Sequence, residues 1–443
     1  MSLAASRSIS QWLEIGPTLL DQSLEGNPLE RAILTGLLAM GAIVLVGRGQ
    51  KVLALLRVNG PILLFFSYCL ASTLWSDYPD VAFKRWIKAL GDLVMVMIVL
   101  TDPGRSSAIK QFLTRTGFLL VPISVLQIKY YPDLGRRFDR WDGRQVFTGV
   151  ATDKNMLGVI CLLFGLGAVW RISHALRQRQ RLLSNRPLIA QLVILTMVLW
   201  LFWKANSMSS VACFVLAGGL MMAVNFPSLA RKRAVVHLLV AMALATASFA
   251  LFFDTGGGLV KTLGRDPSLT GRTEVWSDVL GMTGNPVFGT GFESFWLGAR
   301  LEKLWSKHWW HPNEAHNGYL EVFLNLGWMG VILLAVVIMT GYRNAIGMFR
   351  SNPEAGTLGL AYFVVELIYS FTEAGFRMMS PVWISFMLVA MAIPKRSVAK
   401  ASDASDSLAE PSFCGGLEYR SDETDGHASL SGSVTSSKSA TFR

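Results

Sequence analysis

Three of the six histidines, His308, His311 and His316, fall within nine residues of one polar stretch. Imidazole titrates near neutral pH, so one of them suits general-base work. The other two read as interfacial hydrogen-bonding groups. The spacing H-x2-H-x4-H matches no helical zinc motif, and no acidic partner is evident beside it, so no metal ligand and no cofactor is predicted. Basic residues collect in two stretches. Lys129, Arg136, Arg137, Arg140, Arg144 and Lys154 lie in 129–154, and Lys261, Arg265, Arg272, Arg300, Lys303 and Lys307 in 254–318. Guanidinium forks donate paired N–H bonds to phosphate oxygens, which suits a diphosphate; a salt-bridged, solvated surface is the alternative. Phe292, Phe295, Trp296, Trp305, Trp309, Trp310 and Tyr319 crowd the end of the second stretch. They read either as an interfacial aromatic belt or as a platform on which sugar rings stack.

The elements that must position these groups are hydrophobic helices. Of 443 residues 52% are hydrophobic and only 16% charged, with mean hydropathy +0.41; a soluble domain carries about 25% charged residues. Runs long enough for the roughly 20 residues that span a bilayer fall at 32–47, 61–75, 86–101, 112–128, 155–171, 188–203, 208–226, 235–253, 319–340, 356–372 and 381–394. The fold class expected is an all-α polytopic membrane protein of 10–12 transmembrane helices with one large loop, 254–318. Three segments follow: an N-terminal segment 1–31, a transmembrane domain 32–396, and a Ser-, Asp- and Thr-rich tail, 397–443, expected to be disordered because it cannot bury enough apolar surface. No removable signal peptide is predicted. Cys69, Cys161 and Cys213 sit in apolar runs and Cys414 in the tail, with no zinc or disulfide spacing.

Sidedness follows from acid-free basic loops, which collect on the cytoplasmic side. Arg171, Arg177, Arg179, Arg181 and Arg186 mark one such loop, and Arg231, Lys232, Arg233, Arg343, Arg350, Lys395 and Arg396 agree with it by parity. The loops 76–85, 129–154, 204–207, 254–318 and 373–380 then face outward. The net charge of +11 is therefore a matter of membrane sidedness, and no nucleic-acid partner is predicted.

Four segments, in order, resemble the O-antigen ligase and O-antigen polymerase family, including its exopolysaccharide polymerases. LASTLWSDYPDVAFKRWIKALGDL (70–93) is similar to an early outward turn of the family, with Trp75, Ser76, Pro79 and Arg85. FTGVATDKNMLGVI (147–160) resembles its Gly…Lys-Asn…Leu-Gly segment through Gly149, Lys154, Asn155, Leu157 and Gly158. GRTEVWSDVLGMTGNPVFGTGFESFW (271–296) is similar to its Gly-Arg…Trp…Pro…Phe-Gly…Gly signature, and EAHNGYLEVFLNLGWMG (314–330) to its His-Asn…Leu…Gly…Gly element. The O-antigen ligase-like region extends over about 190–340.

The resemblance implies a membrane glycosyltransferase of type C-like helical fold in the bacterial inner membrane, working without a metal at the periplasmic face. It would move a glycan from an undecaprenyl-diphosphate donor to a glycan or lipid A-core acceptor, among membrane lipids. Carried over, Arg272 binds the diphosphate and His316 is the base or acceptor-orienting group; Arg85, Lys154, Asn155 and Asn317 are substrate-binding positions. One departure stands out. The family often carries a basic residue between small hydroxyl residues opening a central helix, where this chain has Ser207-Met208-Ser209; Lys204, one turn away, is the substitute predicted. Gly289, Gly291 and Gly327 allow tight turns or close helix approach. The competing function is a transporter or flippase for an anionic lipid-linked glycan, with Asp92, Glu321, Glu366 and Glu373 lining its path. A scaffold role within a polysaccharide assembly complex is a third reading.

Overall fold

A computed structural model describes residues 28–138, 143–178, 186–226, 229, 232–252 and 270–394. The 397–443 tail, most of the N-terminal segment, Arg140, Arg179, Arg181 and the 253–269 part of the large loop, with Lys261 and Arg265, lie outside them.

The chain is an all-α polytopic membrane protein. In order come α1 (Pro28–Val46), α2 (Gly49–Val58), α3 (Gly60–Ala71), α4 (Pro79–Thr101), α5 (Arg105–Tyr130), a single turn α6 (Pro132–Gly135), α7 (Lys154–Arg177), α8 (Arg186–Ala205), α9 (Met208–Val224) and α10 (Arg233–Phe252). Then follow α11 (Thr270–Gly281), α12 (Gly298–Lys307), α13 (Gly318–Ser351), α14 (Pro353–Tyr369) and α15 (Pro381–Ala390). All eleven predicted spans fall on helices. Five helices are long and apolar enough to cross a membrane alone, or six if α2 and α3, which meet at 90°, make one bent span. α9, α14 and α15 are shorter: at ~1.5 Å per residue the 17 residues of α9 or α14 fall just below the ~30 Å hydrocarbon layer. The 129–154 loop also holds an antiparallel hairpin, β1 (Arg136–Phe138) with β2 (Gln145–Phe147), Arg136 opposite Phe147.

α7 is the hub. Its N-cap Asp153 accepts from the backbone N–H groups of Asn155 and Met156, the usual way an Asp satisfies the orphan donors of a first turn. Most of its length is buried, packed on α8, α9 and α14. α14 is buried almost throughout and joins α13 to α9. Because lipid tails are as apolar as leucine, such contacts act through close packing rather than water exclusion.

The predicted polar loop folds. α11 and α12 enclose a second core of Val275, Val279, Phe295, Leu301 and Leu304 over Leu324 of α13. This corrects the aromatic reading: Phe295 and Trp296 are core residues, 1% and 8% exposed. Trp276 and Trp305 spend their indole N–H groups on Ala315 O and Pro312 O, at 2.8 and 2.9 Å. Trp309, 67% exposed, stays outside. α13 is interrupted at Gly327, whose φ of 63° and ψ of −166° leave the helical region. The 282–297 segment repairs the break. Trp328 N and Met329 N donate to Pro286 O and Val287 O, and Thr290 N and Gly291 N to Leu324 O and Asn325 O. A Cβ on Gly327 would lie 2.3 Å from Val287 O, and one on Gly289 2.5 Å from Asn325 backbone. These two glycines therefore permit backbone to pack on backbone.

Candidate functional site

Two backbone hydrogen bonds and a helix cap bring the chemistry-bearing residues together. Gly318 N, opening α13, donates to Ser370 O at 2.7 Å, so the segment before α13 lies beside the turn that follows α14. Asn317 caps α13, its side-chain oxygen accepting from Tyr319 N and Leu320 N at 3.1 Å. Its predicted substrate-binding atom is thus already committed to the helix. The residue before it, His316, takes a φ of 50°, an uncommon left-handed backbone for a residue other than glycine and one that recurs at functional sites. On the facing turn, Glu373 N donates to Tyr369 O at 2.9 Å and holds Glu373 toward the histidine.

The resulting network is continuous. His316 Nδ1 lies 3.0 Å from Glu314 Oε1 and 3.1 Å from Glu373 Oε2. On its other oxygen, Glu373 accepts from Asn155 Nδ2 at 3.4 Å and lies 3.8 Å from Arg272 Nη2. Arg272 Nη1 donates to Thr372 O at 2.7 Å. Arg377 links Glu314, at 3.1 Å, to Glu293, at 3.4 Å, and Arg85 donates to the backbone oxygen of Glu293. Four cationic groups thus face three carboxylates. Burial works against charge on His316, but its hydrogen bonds to Glu314 and Glu373 outweigh that and hold the imidazole up to about 10. Burial likewise opposes the Glu314 carboxylate, while the His316 bond, the His316 charge and Arg377 bring it down to about 2. Arg377 is held above its ordinary range, first by Glu293.

Of the predicted positions, His316, Arg272, Asn155 and Arg85 therefore meet. Lys154 opens α7 beside Asn155. Lys204 does not join through any described contact: its ammonium lies over the rings of Trp203, Phe147 and Trp200 at 4.2, 5.0 and 5.8 Å, an aromatic cage at the hairpin. The other histidines go elsewhere. His308 bonds Asp278 at 2.8 Å, and His311 stacks on Trp305 at 4.8 Å.

The expectation that the histidines lack acidic partners is corrected. Glu314 stands two residues before His316, and the left-handed turn folds it back; Glu373 is 57 residues away in sequence and only the fold makes it a neighbour. Glu293 and Arg377 were missed for the same reason. Glu373 was singled out only as a charge on a transport path. Two of its companions there serve as braces: Asp92 accepts from Met379 N at 2.7 Å, and Glu321 from Trp296 Nε1 at 2.8 Å.

Among the described residues, Glu314, His316 and Glu373 are the His and acid side chains whose ligand atoms converge, within 4.8 Å of one another. Arg272 and Arg377 lie against those same carboxylates.

The sequence profile of the O-antigen ligase family matches residues 181–335, a stretch holding Arg272, Glu293, Glu314 and His316. The exopolysaccharide production protein ExoQ of Rhizobium meliloti is 23% identical over 312 residues, which cover 67% of this chain and 68% of that protein. This multi-pass chain is thus similar to the O-antigen ligase family over 181–335 and to an exopolysaccharide production protein over two thirds of its length.

Proposed function

We propose that the chain transfers a glycan from an undecaprenyl-diphosphate donor to a sugar hydroxyl at the periplasmic face of the bacterial inner membrane, without a metal. The acceptor is a growing polysaccharide or lipid A core. Similarity to the O-antigen ligase family over 181–335 and to an exopolysaccharide production protein supports a glycosyltransferase-like enzyme of the O-antigen ligase or exopolysaccharide polymerase type. The observation that carries the finer reading is the Arg272–Glu373–His316 contact.

The chemistry needs three things. The bond between the anomeric carbon and the diphosphate oxygen breaks, so charge developing on that oxygen must be met. Arg272 spends one N–H on Thr372 O and keeps most of its five donors for the diphosphate, an electrostatic role that fixed donors perform without reorganising. The acceptor hydroxyl oxygen must be aimed at the anomeric carbon. An imidazolium pinned by two carboxylates suits aiming better than proton removal, which favours the orienting role for His316. The hydroxyl proton must leave as the new C–O bond forms, and the Glu373 carboxylate, 8% exposed, is the acceptor within the pair. Asn155 and Arg85 keep Glu373 and the Glu293 segment in place.

Glycan analysis of a deletion strain tests the assignment. Unpolymerised single repeats identify a polymerase, and full-length chains left on the lipid carrier identify a ligase; unchanged surface glycan would refute both. Transfer by the purified protein is expected to survive EDTA, and loss of activity restored by Zn²⁺ or Mg²⁺ would refute metal independence.

A further inference from the structure

α13 carries the structure from the His316 network to the opposite end of the bundle. Between Gly318 and Arg343 lie roughly 38 Å of helix at ~1.5 Å per residue, more than a hydrocarbon layer of ~30 Å. At that far end a cavity of about 190 Å3 opens among the α2–α3 elbow, α13 and the end of α15. Its wall combines Ile62 and Val337 with Asn59, Thr340, Arg343 and Asn344.

The elbow side of the wall is built rather than incidental. Asn59, 4% exposed, donates to Leu55 O and Ala392 O at 2.8 Å and accepts from Ala392 N at 2.7 Å. Asn344 donates to Ala390 O at 2.7 Å. These bonds tie the elbow and α13 to the end of α15 and keep the cavity open. Arg343 is exposed and makes no hydrogen bond or ion pair with any described residue. A guanidinium at a mixed polar and apolar cavity, left without an acid, calls for an anion.

The membrane setting says which anion. α2 and α3 meet at 90°, so with α3 running through the bilayer α2 lies along the interface, as basic amphipathic helices do. Lys51 and Arg57 on it are exposed, and Val58 at its end lines the cavity. A cavity at headgroup depth, with Arg343 in its wall, the cations of α2 on the adjoining helix and aliphatic side chains among its lining, matches a lipid phosphate with its acyl chains alongside.

We infer that this cavity binds the phosphate of an anionic phospholipid, gripped by Arg343, at the membrane face opposite the His316 network. The inference is independent of the transfer chemistry.

The full-length protein, reconstituted in bilayers of phosphatidylcholine with or without phosphatidylglycerol, is extracted gently and its retained lipid identified by native mass spectrometry. Preferential retention of phosphatidylglycerol is expected. Arg343→Ala should weaken it about fivefold, the factor for one cation at an anionic surface, and Arg343→Glu should abolish it, while Arg350→Ala leaves it intact. Helical content and thermal stability in phosphatidylcholine alone should match wild type, since Arg343 is exposed. Equal retention of both lipids by wild type, or unchanged preference in Arg343→Glu, would overturn the inference. So would displacement of phosphatidylglycerol by inorganic phosphate at comparable concentration, which would identify a free-phosphate site.

Discussion

At the scale of single residues, Arg272 is held before any diphosphate arrives, by Thr372 O on one nitrogen and Glu373 near the other. The task proposed for it needs a planar fork, so Arg272→Lys is expected to lose about 10²–10³ in transfer rate with membrane level unchanged. Glu373→Gln should lose about 10²–10⁴ if the carboxylate takes the hydroxyl proton. Near-normal glycan from either well-expressed variant would remove it from the mechanism. His308→Ala, which removes the Asp278 bond and the packing on Trp310, should lower thermal stability and spare turnover. His316 makes a pH prediction. Its folded value, about 10, lies above the ordinary 6.5, so its contribution to stability is full below about 6.5 and is lost as pH rises through 10. Glu314, brought down to about 2, contributes above its ordinary range and loses that only in strong acid. Unfolding temperature of the wild type should therefore fall on the alkaline side, and His316→Gln should flatten that slope. An identical alkaline slope in both proteins would place the titrating group elsewhere.

At the scale of elements, the broken helix α13 joins the two halves of the site. His316 and the cap residue Asn317 lead directly into it, and its break at Gly327 receives the 282–297 segment, which carries Glu293. Helix interruptions inside a membrane survive only where other groups satisfy the freed backbone, and here four loop–helix hydrogen bonds do so. Gly327→Ala would need its Cβ 2.3 Å from Val287 O at a φ of 63°. It should cost about 1–3 kcal/mol as an overpacked site, seen as a lower unfolding temperature, and should also reduce transfer because Glu293 and Arg377 shift together. Unaltered stability would mean that the break is not clamped by this loop. Losing the Asn317 cap in Asn317→Ala should cost about 1 kcal/mol, with a smaller loss of activity than at Arg272.

At the scale of the whole molecule, the His316 network and the basic elbow lie at opposite ends of α13, and membrane sidedness decides what each meets. The acid-free loops around Arg181 and Arg343 are expected in the cytoplasm, with Trp309 on the far side. Single cysteines at 181, 309 and 343, labelled by a membrane-impermeant thiol reagent in intact cells, should react only at 309. Labelling of 181 and 309 from the same side would overturn the topology and, with it, the periplasmic placement of the network.

How much of this the chain alone determined differs by kind of information. Hydropathy placed eleven helices, because apolar runs of helix length have few alternatives in a bilayer. The local motifs marked Arg272, His316, Asn155 and Arg85, and the glycines at 289 and 327 signalled close backbone approach. What they could not carry was pairing across long separations. Glu373 reaches His316 only because Gly318 bonds Ser370, 52 positions on, and Arg377 meets Glu293 only because two loops converge above α13. The aromatic cluster misled for a related reason: an indole suits an interface and a core equally well in sequence, and whether Phe295 and Trp296 are buried depends on α11 and α12 folding over Leu324. Residue type and period fix which side chains are able to do chemistry; which of them share a proton or a charge is settled by backbone contacts that no local pattern records.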